Sequence, residues 1–245
     1  MHKLYALVLA LVLTATIANL IFIIKGSDLN ELETVTVSRV IDGDTLVLDD
    51  KRTIRLININ SPEKDSPLSE QATNVLSTLT DKTIQIESLG LEKYGRTLAR
   101  IYTPEYINLE LVQKGLASKF LVNNDELKAF YRAEEKAIES QLGIWHDSLY
   151  SNCIKTKVNA KDEEVIIENS CSSINISGWT IKDESRKIYK FNIILNSNLI
   201  LHTGEGNDQG ENLYWKSSNV WNNDRDTLYL FDSENHLVSH YSYGY

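Results

Sequence analysis

VIDGDTLVLDDKRTIRLININSPE, Val40 to Glu63, carries more of the argument than any other part of the chain. Apolar residues alternate through two short runs. Asp42-Gly43-Asp44 interrupts the first run, and Asp49 to Arg52 separates it from the second, Thr53 to Ile59. Such alternation, bounded by charged turn residues, predicts a β-hairpin, and Asp-Gly inside a run predicts a tight turn or bulge. The hairpin sets a carboxylate at a turn (Asp44), a cation on the next strand (Arg55) and a second carboxylate just past it (Glu63). A metal ion, a guanidinium and a general base are the groups that phosphodiester hydrolysis needs. Lys93-Tyr94-Gly95-Arg96 supplies a further cation downstream.

Working outward, Val35 to Leu48 reads as a strand with a break, and Thr83 to Ser88 and Thr97 to Tyr102 as two more. Helical spacing covers Ser69 to Leu79, Ile107 to Phe120 and Asp125 to Gln141, the last with Asp125 as its N-cap and Gly143 ending it. Strands with interleaved helices in this order fit a small closed barrel of the OB type.

After Asp147 the texture changes. Short alternating runs cover Glu164 to Glu168, Ile174 to Ile181, Ile188 to Phe191, Ile193 to His202, Leu228 to Asp232 and Leu237 to Tyr243, with Asn, Asp, Gly and Ser between them. No long helical pattern interrupts them, which predicts an all-β sandwich. The fold class is therefore mainly β with some α: a five-stranded barrel with helices, then a sandwich. The expected division is 35–147 for the barrel, 148–152 as a linker and 153–245 for the sandwich. The chain's two cysteines, Cys153 and Cys171, flank a hairpin that turns near Asp162, so they lie roughly opposite each other. A disulfide in an oxidising compartment and two separate thiols are both compatible with that spacing.

Leu4 to Ile24 is 21 residues without a charge. As a helix it spans about 30 Å, the hydrocarbon thickness of a bilayer. Residues 1–26 read as a transmembrane signal anchor or a cleaved signal peptide, with 27–34 as a polar linker. No small-x-small cleavage site follows the run, which favours the anchor. The cysteines favour soluble domains outside the cytoplasm, on a single-pass membrane protein, or secreted if the segment is cleaved.

Formal net charge is −9. Residues 35–147 hold 14 Lys and Arg against 18 Asp and Glu, and residues 148–245 hold 9 against 13, so each half carries −4. A typical non-specific nucleic-acid binder is basic, so that balance counts against tight electrostatic binding of DNA. Contact with nucleic acid must rest on a local positive patch or a metal ion.

Residues 40–147 resemble the staphylococcal nuclease-like (thermonuclease) family. Asp42-Gly43-Asp44-Thr45, Arg55-Leu56, Ser61-Pro62-Glu63, Lys93-Tyr94-Gly95-Arg96, the run LELVQKGLA from Leu109 to Ala117 and Gly143-Ile144-Trp145 occur in that family's order. The resemblance implies an OB barrel with helices and calcium-dependent cleavage of DNA and RNA that leaves 3′-phosphate ends. It implies Asp44, Asn60 and the Ser61 carbonyl as calcium ligands, Glu63 as the residue that activates water, and Arg55 and Arg96 as phosphate-binding catalytic residues. Lys93 and Tyr94 are implied substrate contacts. Asn60 stands where the family usually has Asp; an amide oxygen can still ligate, but with one negative charge fewer, so calcium binding is expected to be weaker. Tyrosines that pack on the base in the family's type member are missing from Ser118 to Asn123; Phe120 is a candidate for stacking, or a core residue instead. A catalytically weak or inactive OB module, binding nucleic acid or protein at the cell surface, is the alternative that these departures leave open.

Cys153 to Tyr245 resembles the lamin-tail family on Ile176 to Asp183 (ISGWTIKD) and Trp221 to Asp232 (WNNDRDTLYLFD). That resemblance implies an immunoglobulin-like sandwich serving as a binding or scaffold module, whose ligand is unknown.

Overall fold

The structure is a computed structural model, and it describes residues 32–64, 68–185 and 187–245. The apolar run Leu4 to Ile24 lies outside the described residues. Among those that are described, no helix is long and apolar enough to cross a membrane.

Five strands close the barrel: β1 (Glu33–Asp42), β2 (Thr45–Leu48), β3 (Thr53–Leu56), β5 (Thr83–Leu91) and β6 (Thr97–Tyr102), in the order β1-β2-β3-β6-β5. This is an OB-type barrel. Its antiparallel β1–β2 hairpin turns at Gly43, and β3 pairs in parallel with β6. Alternation does its expected work. Val37, Leu46, Leu48, Ile54, Leu56, Ile86 and Ile101 are fully buried in one core, where each contributes on the order of 1.5–3 kcal/mol by leaving water. Helices α1 (Ser69–Ser77) and α2 (Ile107–Gln113) cover that core, as does α3 (Leu127–Glu139), through Leu76, Leu111, Val112 and Phe130.

Four expectations for this half need correction. Val35 to Leu48 is not one strand with a break: the chain turns back at Gly43, and β1 and β2 pair antiparallel. Thr53 to Ile59 is not one strand: Asn58 takes φ +65°, the chain turns, and Ile59–Asn60 forms a separate short β4. The helix predicted over Ile107 to Phe120 stops at Gln113, and Ser118–Lys119 (β7) pairs antiparallel with β4. The reason is Gly115, at φ +66°, which packs so closely on Leu142 that an added Cβ would sit 2.2 Å from the Leu142 carbonyl oxygen. Asp125 is not the N-cap of α3; Glu126 holds that place without a side-chain cap, and Glu126 instead pairs with Arg100 at 2.6 Å.

The second half is a sandwich of two four-stranded sheets. One contains β8 (Ile154–Asn159), β9 (Glu164–Asn169), β14 (Leu199–Thr203) and β15 (Asn212–Trp215); the other β11 (Thr180–Lys182), β12 (Ile188–Lys190), β16 (Asp226–Phe231) and β17 (Leu237–Tyr243). Their inner faces share a core built on Trp179, Ile181, Leu201, Trp221, Leu228 and Leu230. Two predicted strands are each split. A turn separates β10 (Ile174–Asn175) from β11, and another separates β13 (Ile194–Leu195) from β14. Gly178 accounts for the first break, at φ +88°. Strand β15, parallel to β14, was not anticipated, because Asn212 to Trp215 is too short for alternation to show. Cys153 and Cys171 are disulfide-bonded, with Cα atoms 5.4 Å apart.

The halves meet over a third core. Ala137, Ile138, Ile144 and Trp145 from the barrel side pack with Tyr229, Phe231 and Leu237 from the sandwich. Trp145 stacks on Tyr229 with ring centroids 5.2 Å apart.

Candidate active site

The turn between β1 and β2 approaches the chain after β4 so closely that only glycine fits at position 43. A Cβ there would lie 2.5 Å from that of Ala72 and 2.7 Å from that of Ser61. This close approach brings Asp44, at the start of β2, against Ser61. The buried Asp44 carboxylate accepts from the Ser61 backbone N–H at 2.9 Å, the Ser61 hydroxyl at 3.0 Å and the Thr45 hydroxyl at 3.0 Å. Arg55 Nε lies 3.3 Å from the same carboxylate. Asp42 sits beside it, and its Oδ1 accepts the Asp44 N–H at 3.1 Å. Burial, and then the charge of Asp44, hold the Asp42 carboxyl above the usual carboxylate range. Two crowded, partly desolvated carboxylates make a negative pocket that a cation would relieve.

Arg55 is buried on β3. Its guanidinium donates to the Ile59 carbonyl at 2.8 Å, to Asn60 Oδ1 at 2.7 Å and to the Leu56 carbonyl. Arg96, at the end of the β5–β6 loop, forks onto Glu92, and that hydrogen bond holds its pKa above the ordinary arginine value. Lys93 lies over the ring of exposed Tyr94, 4.7 Å from its centroid. Glu63 is exposed, just beyond β4. Phe120 is half-buried and stands outside the barrel core. Its N–H donates to the Asn58 carbonyl at 2.8 Å, and Asn58 is anchored in turn on Glu126 at 2.8 Å.

All nine of these candidates (Asp44, Arg55, Asn60, Ser61, Glu63, Lys93, Tyr94, Arg96 and Phe120) line one cleft of about 1000 Å³. Residues up to 76 positions apart in sequence thus face a common space; the β3–β4 turn and the β5–β6 loop form its two sides. Other lining residues were not among the sequence candidates, Asp42, Glu92, Leu121 and Ser185 among them. Asp42 was legible in the Asp-Gly-Asp-Thr motif, and Glu92 in its four-residue spacing from Arg96. Leu121 and Ser185 carry no sequence signal, and Ser185 arrives from the sandwich.

The donor set suits a hard cation. Asp42 and Asp44 offer carboxylate oxygens, Asn60 an amide oxygen and Ser61 a backbone carbonyl, all of the type calcium prefers. No cluster of three or more His, Cys, Asp or Glu at metal-binding spacing occurs among the described residues, so neutral oxygens must make up any shell.

Comparison with known proteins decides the assignment. The staphylococcal nuclease homologue family matches residues 53–147. A thermonuclease of Staphylococcus intermedius is 36% identical over 129 residues, which are 46% of this chain and 76% of that protein. The chain belongs to the staphylococcal nuclease family. An uncharacterized endonuclease of Haemophilus influenzae is 31% identical over 135 residues, covering 53% of this chain and 75% of its own. A micrococcal nuclease of Shigella flexneri is 33% identical over 126 residues, covering 45% and 72%. Beyond the nuclease-family region, the Lamin Tail Domain family matches residues 152–245, so a nuclease-family barrel is followed by a lamin tail domain.

Proposed function

We propose that the chain is a calcium-dependent nuclease that hydrolyses phosphodiester bonds of DNA, RNA or both. The observation that carries this reading is the convergence of Asp44, Arg55, Glu63 and Arg96 on one cleft, in a family whose relatives carry the names thermonuclease and endonuclease. Asp44, Asn60 Oδ1 and the Ser61 carbonyl would hold calcium, with Asp42 adding charge beside them. Bound there, calcium supplies Lewis-acid polarisation of a phosphate oxygen.

The chain's own groups do the rest. The exposed Glu63 carboxylate takes a proton from water, whose oxygen attacks phosphorus. Arg55 and Arg96 would donate to the phosphate oxygens as charge builds on them, exchanging for phosphate part of their present bonding to the Ile59 and Leu56 carbonyls and to Glu92. The bond from phosphorus to the 5′ oxygen breaks, leaving a 3′-phosphate and a 5′-hydroxyl. Arg96, whose pKa Glu92 raises, shields that leaving oxygen, and solvent supplies its proton. Lys93, Tyr94 and Phe120 line the path of the strand and offer it charge and ring faces.

A second reading, an OB module that binds without cleaving, draws on Asn60 in place of Asp and on the inward pairing of Arg55 and Arg96. Single-stranded DNA degradation across a calcium titration, with an EGTA control, separates the two. Cleavage that depends on calcium and falls by about 10²–10⁴ in Glu63→Gln supports the nuclease. No cleavage at millimolar calcium leaves the binding module. The uncharged run Leu4 to Ile24 and the Cys153–Cys171 disulfide support a membrane-anchored protein whose two domains lie outside the cytoplasm.

A further inference from the structure

The Asn60 side chain lies between two groups that together dictate its orientation. On one side Arg55 Nη2 donates to Oδ1 at 2.7 Å. A guanidinium only donates, so the amide oxygen must face it. On the other side Asn60 Nδ2 donates to the backbone carbonyl of Glu184 at 3.4 Å. A carbonyl only accepts, so the amide nitrogen must face that way. The two neighbours demand the same rotamer, and the second belongs to the lamin tail domain.

The turn that carries this carbonyl is anchored from both sides. Glu184 Oε1 lies 2.9 Å from Lys119 Nζ and accepts the Tyr245 hydroxyl, while the Glu184 N–H donates to Asp226 Oδ1 at 3.3 Å. Lys119 is on β7, the strand paired with β4, so its neighbour Ser118 is in register with Asn60. The next residue of the turn, Ser185, lines the nuclease cleft.

We propose that the lamin tail domain is a built-in part of the nuclease site: its Ser185 walls the cleft, and the carbonyl of the adjacent Glu184 holds Asn60 with its amide oxygen turned to Arg55 and the cleft. Glu184 is then a positioning residue. Position 60 is an amide because a carboxylate there would set an anionic oxygen against the Glu184 carbonyl. The positioning rests on the nuclease reading above; the docking does not.

The test uses the full chain as wild type, Asn60→Asp, Glu184→Ala and Glu184→Gln. Three readouts are taken: melting with EGTA, the Asn60 side-chain amide signal in a ¹⁵N spectrum (identified by its loss in Asn60→Asp), and kcat and KM for single-stranded DNA with the calcium concentration giving half-maximal rate. Glu184→Ala should shift the amide signal and raise the calcium requirement several-fold, more than it changes KM for DNA. Glu184→Gln keeps an acceptor for Lys119 and should restore both. Asn60→Asp should melt below wild type without calcium. An unmoved amide signal in Glu184→Ala, or an Asn60→Asp variant that melts as wild type does, overturns the inference. If wild type cleaves nothing but the amide signal and melting shift as stated, the nuclease reading falls and the docking stands.

Discussion

Lys119→Met tests the charged pair that lies buried where the two domains meet. Lys119 and Glu134 side chains are both fully buried, with Nζ 2.6 Å from Oε2. Nζ also donates to the Thr227 hydroxyl at 2.6 Å and lies 2.9 Å from Glu184. Burial pulls the ammonium's pKa down, but Glu134 and Glu184 more than offset it, so the lysine is held above its ordinary value and stays charged. Methionine preserves the volume and removes the charge, leaving Glu134 in the interior. Removing one partner of a buried pair costs about 3–5 kcal/mol. Glu134 keeps the Lys119 backbone N–H at 2.8 Å and the Tyr229 hydroxyl at 2.8 Å, which argues for the lower figure, about 3 kcal/mol. For a chain of this size that lowers the melting temperature by about 6–12 °C. The assay is calorimetric melting of wild type, Lys119→Met, Glu134→Gln and the double variant. Glutamine retains an acceptor for the backbone N–H and buries no charge, so the double variant should recover much of the loss. A drop below about 2 °C in Lys119→Met, or a double variant as unstable as the sum of the singles, would refute the claim that this pair is buried and coupled.

Other consequences are quicker to check. Gly115→Ala adds a Cβ 2.2 Å from the Leu142 carbonyl at φ +66°, so it should cost at least about 1–3 kcal/mol, read in urea; a smaller loss means the contact is looser than drawn. Asp226 is pushed up to about 6, by burial first, against four N–H donors from Asn222, Thr227 and Glu184, with the charges of Glu184 and Asp183 adding to the rise. Its folded pKa is above the unfolded one, so its stabilising contribution is whole below pH about 4 and lost as pH rises through about 6. Melting of wild type relative to Asp226→Asn should therefore fall across that window; a difference flat from pH 4 to 7 refutes it. Glu63→Gln, at an exposed position, should leave melting within about 0.5 kcal/mol of wild type while removing cleavage; a large stability loss would assign Glu63 a structural part instead.

How much was legible in the sequence follows the range of the interactions involved. Alternation reports which residues of a strand face a core, and it located β5, β6 and β17; it covered β1 and β2 too, but as one broken strand where the chain turns back at Gly43. It failed at Ile107 to Phe120, where helical spacing continues past Gln113 although Gly115 is pressed against Leu142 from 27 residues away. It also failed at Ile174 to Ile181 and Ile193 to His202, where turns divide runs that alternate throughout. The candidate site read better than the fold boundaries: its residues sit in short motifs whose spacing survives such errors. What no local pattern could reveal is the sandwich's share in the site, since Ser185 reaches the cleft and Glu184 reaches Asn60 only through the docking of the two halves.

That docking has to overcome a charge problem. Each half carries −4, and like-charged bodies repel until salt screens them beyond about 8–10 Å. The interface answers at short range. Lys119 of the barrel reaches Glu184 of the sandwich, while Arg225 of the sandwich donates to the Val122 carbonyl at 2.9 Å and to Asn124 at 2.7 Å. Cations thus cross the boundary in both directions, around an apolar centre of Trp145, Tyr229 and Phe231. Only a few residues separate the matched regions 53–147 and 152–245, so the tether keeps the partners at high effective concentration. A lamin tail domain free to swing on its linker would have no need of a buried lysine. Docking instead covers the barrel's own Lys119–Glu134 pair and adds Thr227, Tyr229 and Glu184 of the sandwich as partners for the lysine; an arrangement that buried the pair without them would be disfavoured.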